Sequence, residues 1–133
     1  MKKLIHVSFF SSLFFIAACS KNIEVIETAC TAEATPGLII DFIDKKTGLP
    51  VSSCNLSVVI SDGDYIEKLN QHVPYPYCKK AYRLSGALER GGTYSITIKS
   101  QIYADWNKQR VVVTTRGGLC NKVIPVHIHA YLE

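Results

Sequence analysis

Thr93-Tyr94-Ser95-Ile96-Thr97-Ile98 is the stretch on which the fold turns. Strand side chains point alternately to opposite faces, so Tyr94, Ile96 and Ile98 share one face while Thr93, Ser95 and Thr97 share the other. Five of the six residues are β-branched or aromatic, the types that suit a pleated, half-buried surface. The segment predicts a strand with one face in a core. Glu89-Arg90-Gly91-Gly92 precedes it as a turn, and Ala81 to Leu88 predicts the strand before that turn.

The same period continues outward in both directions. Upstream, Leu38, Ile40 and Phe42 predict a first strand that stops at Asp44-Lys45-Lys46-Thr47-Gly48, a polar turn with a glycine free to take positive φ. Leu56, Val58 and Ile60 predict a second strand. Ser61-Asp62-Gly63-Asp64 turns it into a short third one over Tyr65 to Leu69, the Asp-Gly step being a strong turn signal. Asn70 to Lys80, with Pro74, Pro76 and Cys78, reads as an exposed loop. Downstream, Gln109 to Thr115 predicts a β-branched strand and Arg116-Gly117-Gly118 its turn. A final strand places Ile124, Val126, Ile128, Ala130 and Leu132 on one face, at a sheet edge because Pro125 lacks a donor. About seven strands with one buried face each predict an all-β, antiparallel sandwich rather than a barrel.

Residues 1–18 have a different character. Met1-Lys2-Lys3 is a positive head, Leu4 to Ile16 a run of mostly apolar residues, and Ala17-Ala18 a small-residue exit, the pattern of a signal peptide. The run is shorter than the roughly 20 apolar residues a membrane-spanning helix needs. Ile16-Ala17-Ala18-Cys19 resembles the bacterial lipobox, an aliphatic residue and two small ones before a cysteine. The resemblance implies that Cys19 becomes the mature N-terminus, carries diacylglycerol on its thiol and an acyl chain such as palmitate on its amine, and holds the protein stably on a membrane. An ordinary secretory leader that leaves Cys19 a plain thiol is the alternative. Ser20, standing where an aspartate would retain the protein at the inner membrane, points to the outer membrane. Residues 19–36 then form a lipidated tether and 37–133 the domain.

Five cysteines are present. With Cys19 assigned to lipid, Cys30, Cys54, Cys78 and Cys120 form an even set in an oxidising compartment and predict two disulfides. Of three connectivities, Cys30 with Cys120 and Cys54 with Cys78 is favoured; the first pair can meet if the strands that follow those cysteines lie side by side, and the second closes the loop between. No Cys-x-x-Cys pair suggests zinc or redox chemistry. Lys2 and Lys3 supply two of the 15 basic residues, so the rest of the chain stands close to balance against 11 acidic ones. No basic stripe of the kind nucleic acid requires is present, so nucleic acid is excluded as a partner.

Two further motifs carry a family resemblance. Asp44-Lys45-Lys46-Thr47-Gly48-Leu49-Pro50-Val51 and Gly92-Thr93-Tyr94-Ser95-Ile96-Thr97-Ile98 resemble the Thr-Gly-x-Pro and Gly-x-Tyr-x-apolar-x-apolar patterns of the carboxypeptidase regulatory-like domain, a transthyretin-like (prealbumin-like) sandwich related to Ig-like folds. The likeness spans about Gly37 to Glu133 and departs at Ile102-Tyr103, where the family often has Pro-Gly-Tyr. It implies a module that accompanies or stabilises others, or presents a binding surface. Hydroxyisourate hydrolases share the fold class, but this chain ends Ala130-Tyr131-Leu132-Glu133 where those enzymes carry Tyr-Arg-Gly-Ser.

No recognised nucleophile, acid and base arrangement is present, and the chain is read as a non-enzyme without a cofactor. His127 and His129 project from one strand face and would need a third ligand such as His72 to hold a metal; the same alternation is what any solvent-facing strand shows. Asp62, Asp64 and Glu67 could offer oxygens to calcium, but the segment lacks the remaining ligands of a recognised loop and already makes sense as a tight turn. Tyr65, Tyr75, Tyr77, Tyr103 and Trp106 lie in or near turns and are the candidate binding residues, since loops on a rigid scaffold often carry recognition. The chain is therefore expected to be a cell-envelope lipoprotein acting as a structural or protein-interaction module, with a displayed carbohydrate-binding or small-ligand-binding module as the alternative.

Overall fold

The computed structural model describes residues 33–72, 74–118 and 120–133. The leader, Cys19, Cys30, most of the tether and the His72 side chain lie outside the described part. The strands are β1 (Pro36–Asp44), β2 (Leu56–Asp62), β3 (Tyr65–Lys68), β4 (Arg83–Leu88), β5 (Gly92–Ser100), β6 (Trp106–Val113), β7 (Thr115–Arg116), β8 (Lys122–Val123) and β9 (Val126–Leu132). Seven of them build two facing sheets, ordered β4-β1-β9 and β3-β2-β5-β6, and β7-β8 is a small separate ribbon. This is the all-β sandwich that the alternating pattern requires.

Each strand buries the face its sequence marks. Leu38, Ile40 and Phe42 of β1 oppose Leu56, Val58 and Ile60 of β2 and Tyr94, Ile96 and Ile98 of β5, all nearly inaccessible to solvent. Ile128, Ala130 and Leu132 of β9, Val111 and Val113 of β6, and Leu69, Leu84, Ala87 and Val123 join the same core. Burying one such aliphatic side chain stabilises the fold by about 1.5–3 kcal/mol, so the alternation alone commits the chain to two packed layers. Tyr94 is wholly buried, and its hydroxyl donates to the Arg90 carbonyl at 3.1 Å, which fixes the turn into β5.

Three details depart from the sequence reading. First, one pairing is parallel: β9 runs alongside β1 in the same direction, with Leu38 opposite Val126 and Asp44 opposite Leu132. A parallel pair needs a long connection, and here nearly the whole domain supplies it. The side-by-side arrangement on which the Cys30–Cys120 pairing depends is therefore present. Cys120 is disulfide-bonded, but its predicted partner Cys30 lies outside the described residues. Second, β6 begins at Trp106, not at Gln109, because a bulge shifts its register between Tyr94 and Ile96 and leaves Arg110 at φ 55°. Third, Ile124 does not join the final strand: it is half exposed, its N–H donates to the Thr114 carbonyl, and β9 starts after Pro125. β9 is an edge strand, as Pro125 suggested.

Candidate functional site

The registers define two ends. β1 begins at Pro36 beside Leu88 of β4, with the β2–β3 turn and the turn into β5 at the same end. Asp44, Leu56, Ser100 and Trp106 mark the opposite end.

The Asp44 end is assembled from three loops. In the β1–β2 connection the Asp44 carboxylate accepts the Lys46 and Thr47 N–H groups at 2.8 Å, and Gly48 takes φ 70°, so the chain reverses and the Pro50 side returns to Ile43. These donors, the Thr47 N–H foremost, with the Thr47 and Tyr103 hydroxyls, hold the Asp44 carboxyl below its ordinary range. Tyr103, in the β5–β6 loop, donates to Asp44 at 3.1 Å, while partial desolvation and the neighbouring carboxylate raise its phenol. Lys45 pairs with Glu133 at 2.9 Å, and the Ala104 N–H donates to the Glu133 carbonyl.

The third loop is the Pro-rich segment before β4. The Cys54–Cys78 disulfide ties it to the start of β2, as the sequence predicts, with Cα atoms 4.9 Å apart. Ser52 caps the short 3-10 turn Ser53–Asn55 by accepting the Cys54 N–H, and it donates to the Cys78 carbonyl at 2.9 Å. Asn70 donates to the Leu56 carbonyl. Tyr75 and Tyr77 remain 70% and 74% exposed, and the Lys79 ammonium sits 4.7 Å from the centre of the Tyr75 ring.

Among the described residues three open clefts meet at this end, and Asn55 borders each of these. One, of about 430 Å³, lies beneath the disulfide loop between Ser53, Asn55, Tyr75 and Lys79. The second, of about 370 Å³, runs between Asp44, Leu49, Val51, Ile102 and Tyr103. The third, of about 360 Å³, lies along Ser57, Lys99 and Gln101. Leu49 and Ile102 are 63% and 70% exposed, an unusual placement for aliphatic side chains in turns, and neither is among the aromatic candidates. Ile102 stands in Ser100-Gln101-Ile102-Tyr103, where an apolar residue amid polar turn residues was the available signal.

The five aromatic candidates therefore separate. Tyr75, Tyr77 and Tyr103 gather at the Asp44 end. Trp106 stands at that end too, but is half buried against the core. Tyr65 belongs to the opposite end. Its ring meets Tyr94 edge-on at 6.1 Å, Arg90 lies 4.5 Å from its centre, and its hydroxyl donates to Glu67 at 2.6 Å. Burial first, and Glu67 second, push its phenol up to about 12. This is a packed, hydrogen-bonded corner, so Tyr65 is not part of a common aromatic cluster.

The acidic and histidine candidates are likewise occupied or dispersed. Asp62 faces Arg90 at 3.7 Å, Glu67 also accepts the Ala87 N–H at 2.9 Å, and Asp64 stands in an exposed turn. His127 and His129 are exposed on the outer face of β9, and His129 lies 3.7 Å from Asp41. Asp41 itself accepts two hydrogen bonds from Arg83, at 2.6 and 3.2 Å, which hold its carboxyl low. Among the described residues no group of three or more His, Cys, Asp or Glu side chains is placed to hold a metal ion. Comparison with protein-family models, with curated proteins and with solved structures finds no match for this chain.

Proposed function

We propose that this chain is a cell-envelope lipoprotein, anchored through Cys19 to the outer membrane, whose carboxypeptidase regulatory-like sandwich is a non-catalytic module that docks an envelope protein. One observation carries the reading. The tether joins the domain at Pro36, and the exposed Leu49, Ile102 and Tyr77 stand at the other end, with Tyr103 beside them. A domain tethered at one end presents the other outward, and apolar side chains held on a rigid scaffold suit a protein partner.

The test is in-cell crosslinking of the lipidated protein followed by mass spectrometry, with Cys19→Ala as the unanchored form and Leu49→Asp/Ile102→Asp as the altered end. One specific partner, lost in both variants, is expected. Recovery of abundant envelope proteins alone, or of a partner indifferent to the Leu49 and Ile102 changes, overturns the reading.

A further inference from the structure

The cleft beneath the disulfide loop holds a group that the protein leaves unanswered. Ser53 is 1% exposed, its N–H donates to the Ala81 carbonyl, and its hydroxyl has no hydrogen-bond partner among the described residues. A buried hydroxyl without a partner carries the full cost of its desolvation, and such groups in folded proteins call for an explanation. Ser53 belongs to the wall of an open cleft of about 430 Å³, a size suited to a small ligand.

The rest of the wall is selective. Ser52 and Asn70 are spent on the backbone of Cys78 and Leu56. Asn55 makes no side-chain hydrogen bond among the described residues, and it is exposed. Among the described residues Lys79 is the cleft's one cation and no carboxylate lines it, and the ammonium rests on the Tyr75 ring. That contact braces one face of an exposed ring and leaves the other to a ligand. An aromatic face is the negative side of the ring's quadrupole and attracts the polarised C–H groups of a sugar.

We propose that this cleft binds an acidic saccharide, a sugar ring bearing a carboxylate, beside the protein-docking surface and independently of it. The carboxylate pairs with Lys79, the ring lies on Tyr75, and ring hydroxyls meet Asn55 and the Ser53 hydroxyl. Lys79 is exposed, so water screens the pair, and removing its charge should weaken binding by roughly two- to fivefold. The Ser53 hydroxyl is the more telling handle, because without ligand it only costs stability.

The experiment titrates glucuronic-acid oligosaccharides, with the matching neutral glucose oligosaccharides as comparator, into the full-length protein in detergent, followed by calorimetry and by ligand-observed NMR. Lys79→Met, Tyr75→Ala and Ser53→Ala are tested beside the parent, each checked for folding by thermal melting. Expected are binding of the acidic sugar alone, weakening with salt, weaker binding in Lys79→Met and loss in Tyr75→Ala. Ser53→Ala should melt no lower than the parent and yet bind more weakly. Equal binding of the neutral sugar, no binding of either, or binding unchanged in Ser53→Ala and Lys79→Met overturns the proposal. Each of these results leaves the crosslinking outcome untouched, so the two readings fail separately.

Discussion

Replacing Cys54 and Cys78 together by alanine releases the Pro-rich loop without disturbing the other disulfide at Cys120, which a reducing agent would also attack. The two cysteines are 24 residues apart in sequence. Constraining a loop of that length in the unfolded chain stabilises the native state by about 3.5 kcal/mol in the chain-entropy account. Cys78 is buried, so truncation adds a small packing loss. For a domain near 100 residues, about 3.5 kcal/mol corresponds to a fall in Tm of at least roughly 14 °C. Urea unfolding of the parent and the double variant, followed by far-UV circular dichroism, gives the free energy directly. A loss of under about 1 kcal/mol would refute the reasoning, because it would mean that the loop is already held in the unfolded chain or contributes nothing to the native one.

Three other outcomes follow from particular contacts. Tyr94→Phe keeps the buried ring but strips the donor from the Arg90 carbonyl, and should lower stability by about 1 kcal/mol with an unchanged urea slope. In Gly86→Ala the new Cβ meets Leu69 Cδ2 and, at 2.9 Å, Ile60 Cδ1 in the core, so the midpoint should fall by the equivalent of about 1–3 kcal/mol. Asp41 is held low by its Arg83 hydrogen bonds. A depressed carboxyl stabilises the fold above its unfolded pKa, and that contribution fades as pH drops below about 4. Asp41→Asn should therefore show a flatter acid limb in thermal melts from pH 5 to pH 2, and an unchanged limb would reject the role given to this pair.

Legibility followed the physics of each element. Strands that bury one face announce themselves, since a residue on the wrong face forfeits its burial energy; β1, β2 and β5 are marked in this way. β6 was half hidden. Trp106 and the pair Val111 and Val113 all turn toward the core, yet they are out of phase by one residue, and only the bulge with Arg110 in the left-handed region reconciles them. The parallel direction of the β1–β9 pair was hidden for a different reason: periodicity fixes which face a strand buries, not how its neighbour runs, and their adjacency entered only through the cysteine pairing. At the candidate site the Cys54–Cys78 clamp and the exposed tyrosines could be read from composition. The separation of Tyr65 from them could not, because it depends on which end of the sandwich each turn reaches.

The two ends of the sandwich differ in how completely they satisfy their polar groups, and that difference argues for where recognition sits. At the Pro36 end Glu67 accepts both the Tyr65 hydroxyl and the Ala87 N–H, Asp62 faces Arg90, and Tyr94 reaches the Arg90 carbonyl. Such a saturated network rigidifies the fold and has little left to offer a ligand. At the Asp44 end Tyr103 and Ser52 do the same structural work, but among the described residues Ser53, Asn55 and Lys79 keep unspent hydrogen-bonding capacity around one cleft. The disulfide makes that arrangement sustainable. It holds the loop in place through the covalent chain, so the loop's polar side chains need not be consumed in holding it. Accordingly, the Cys54→Ala/Cys78→Ala variant, kept folded by working well below its Tm, should lose affinity for the acidic saccharide by more than Tyr94→Phe does. Equal affinities in the two variants would show that the clamp stabilises the domain without shaping the cleft.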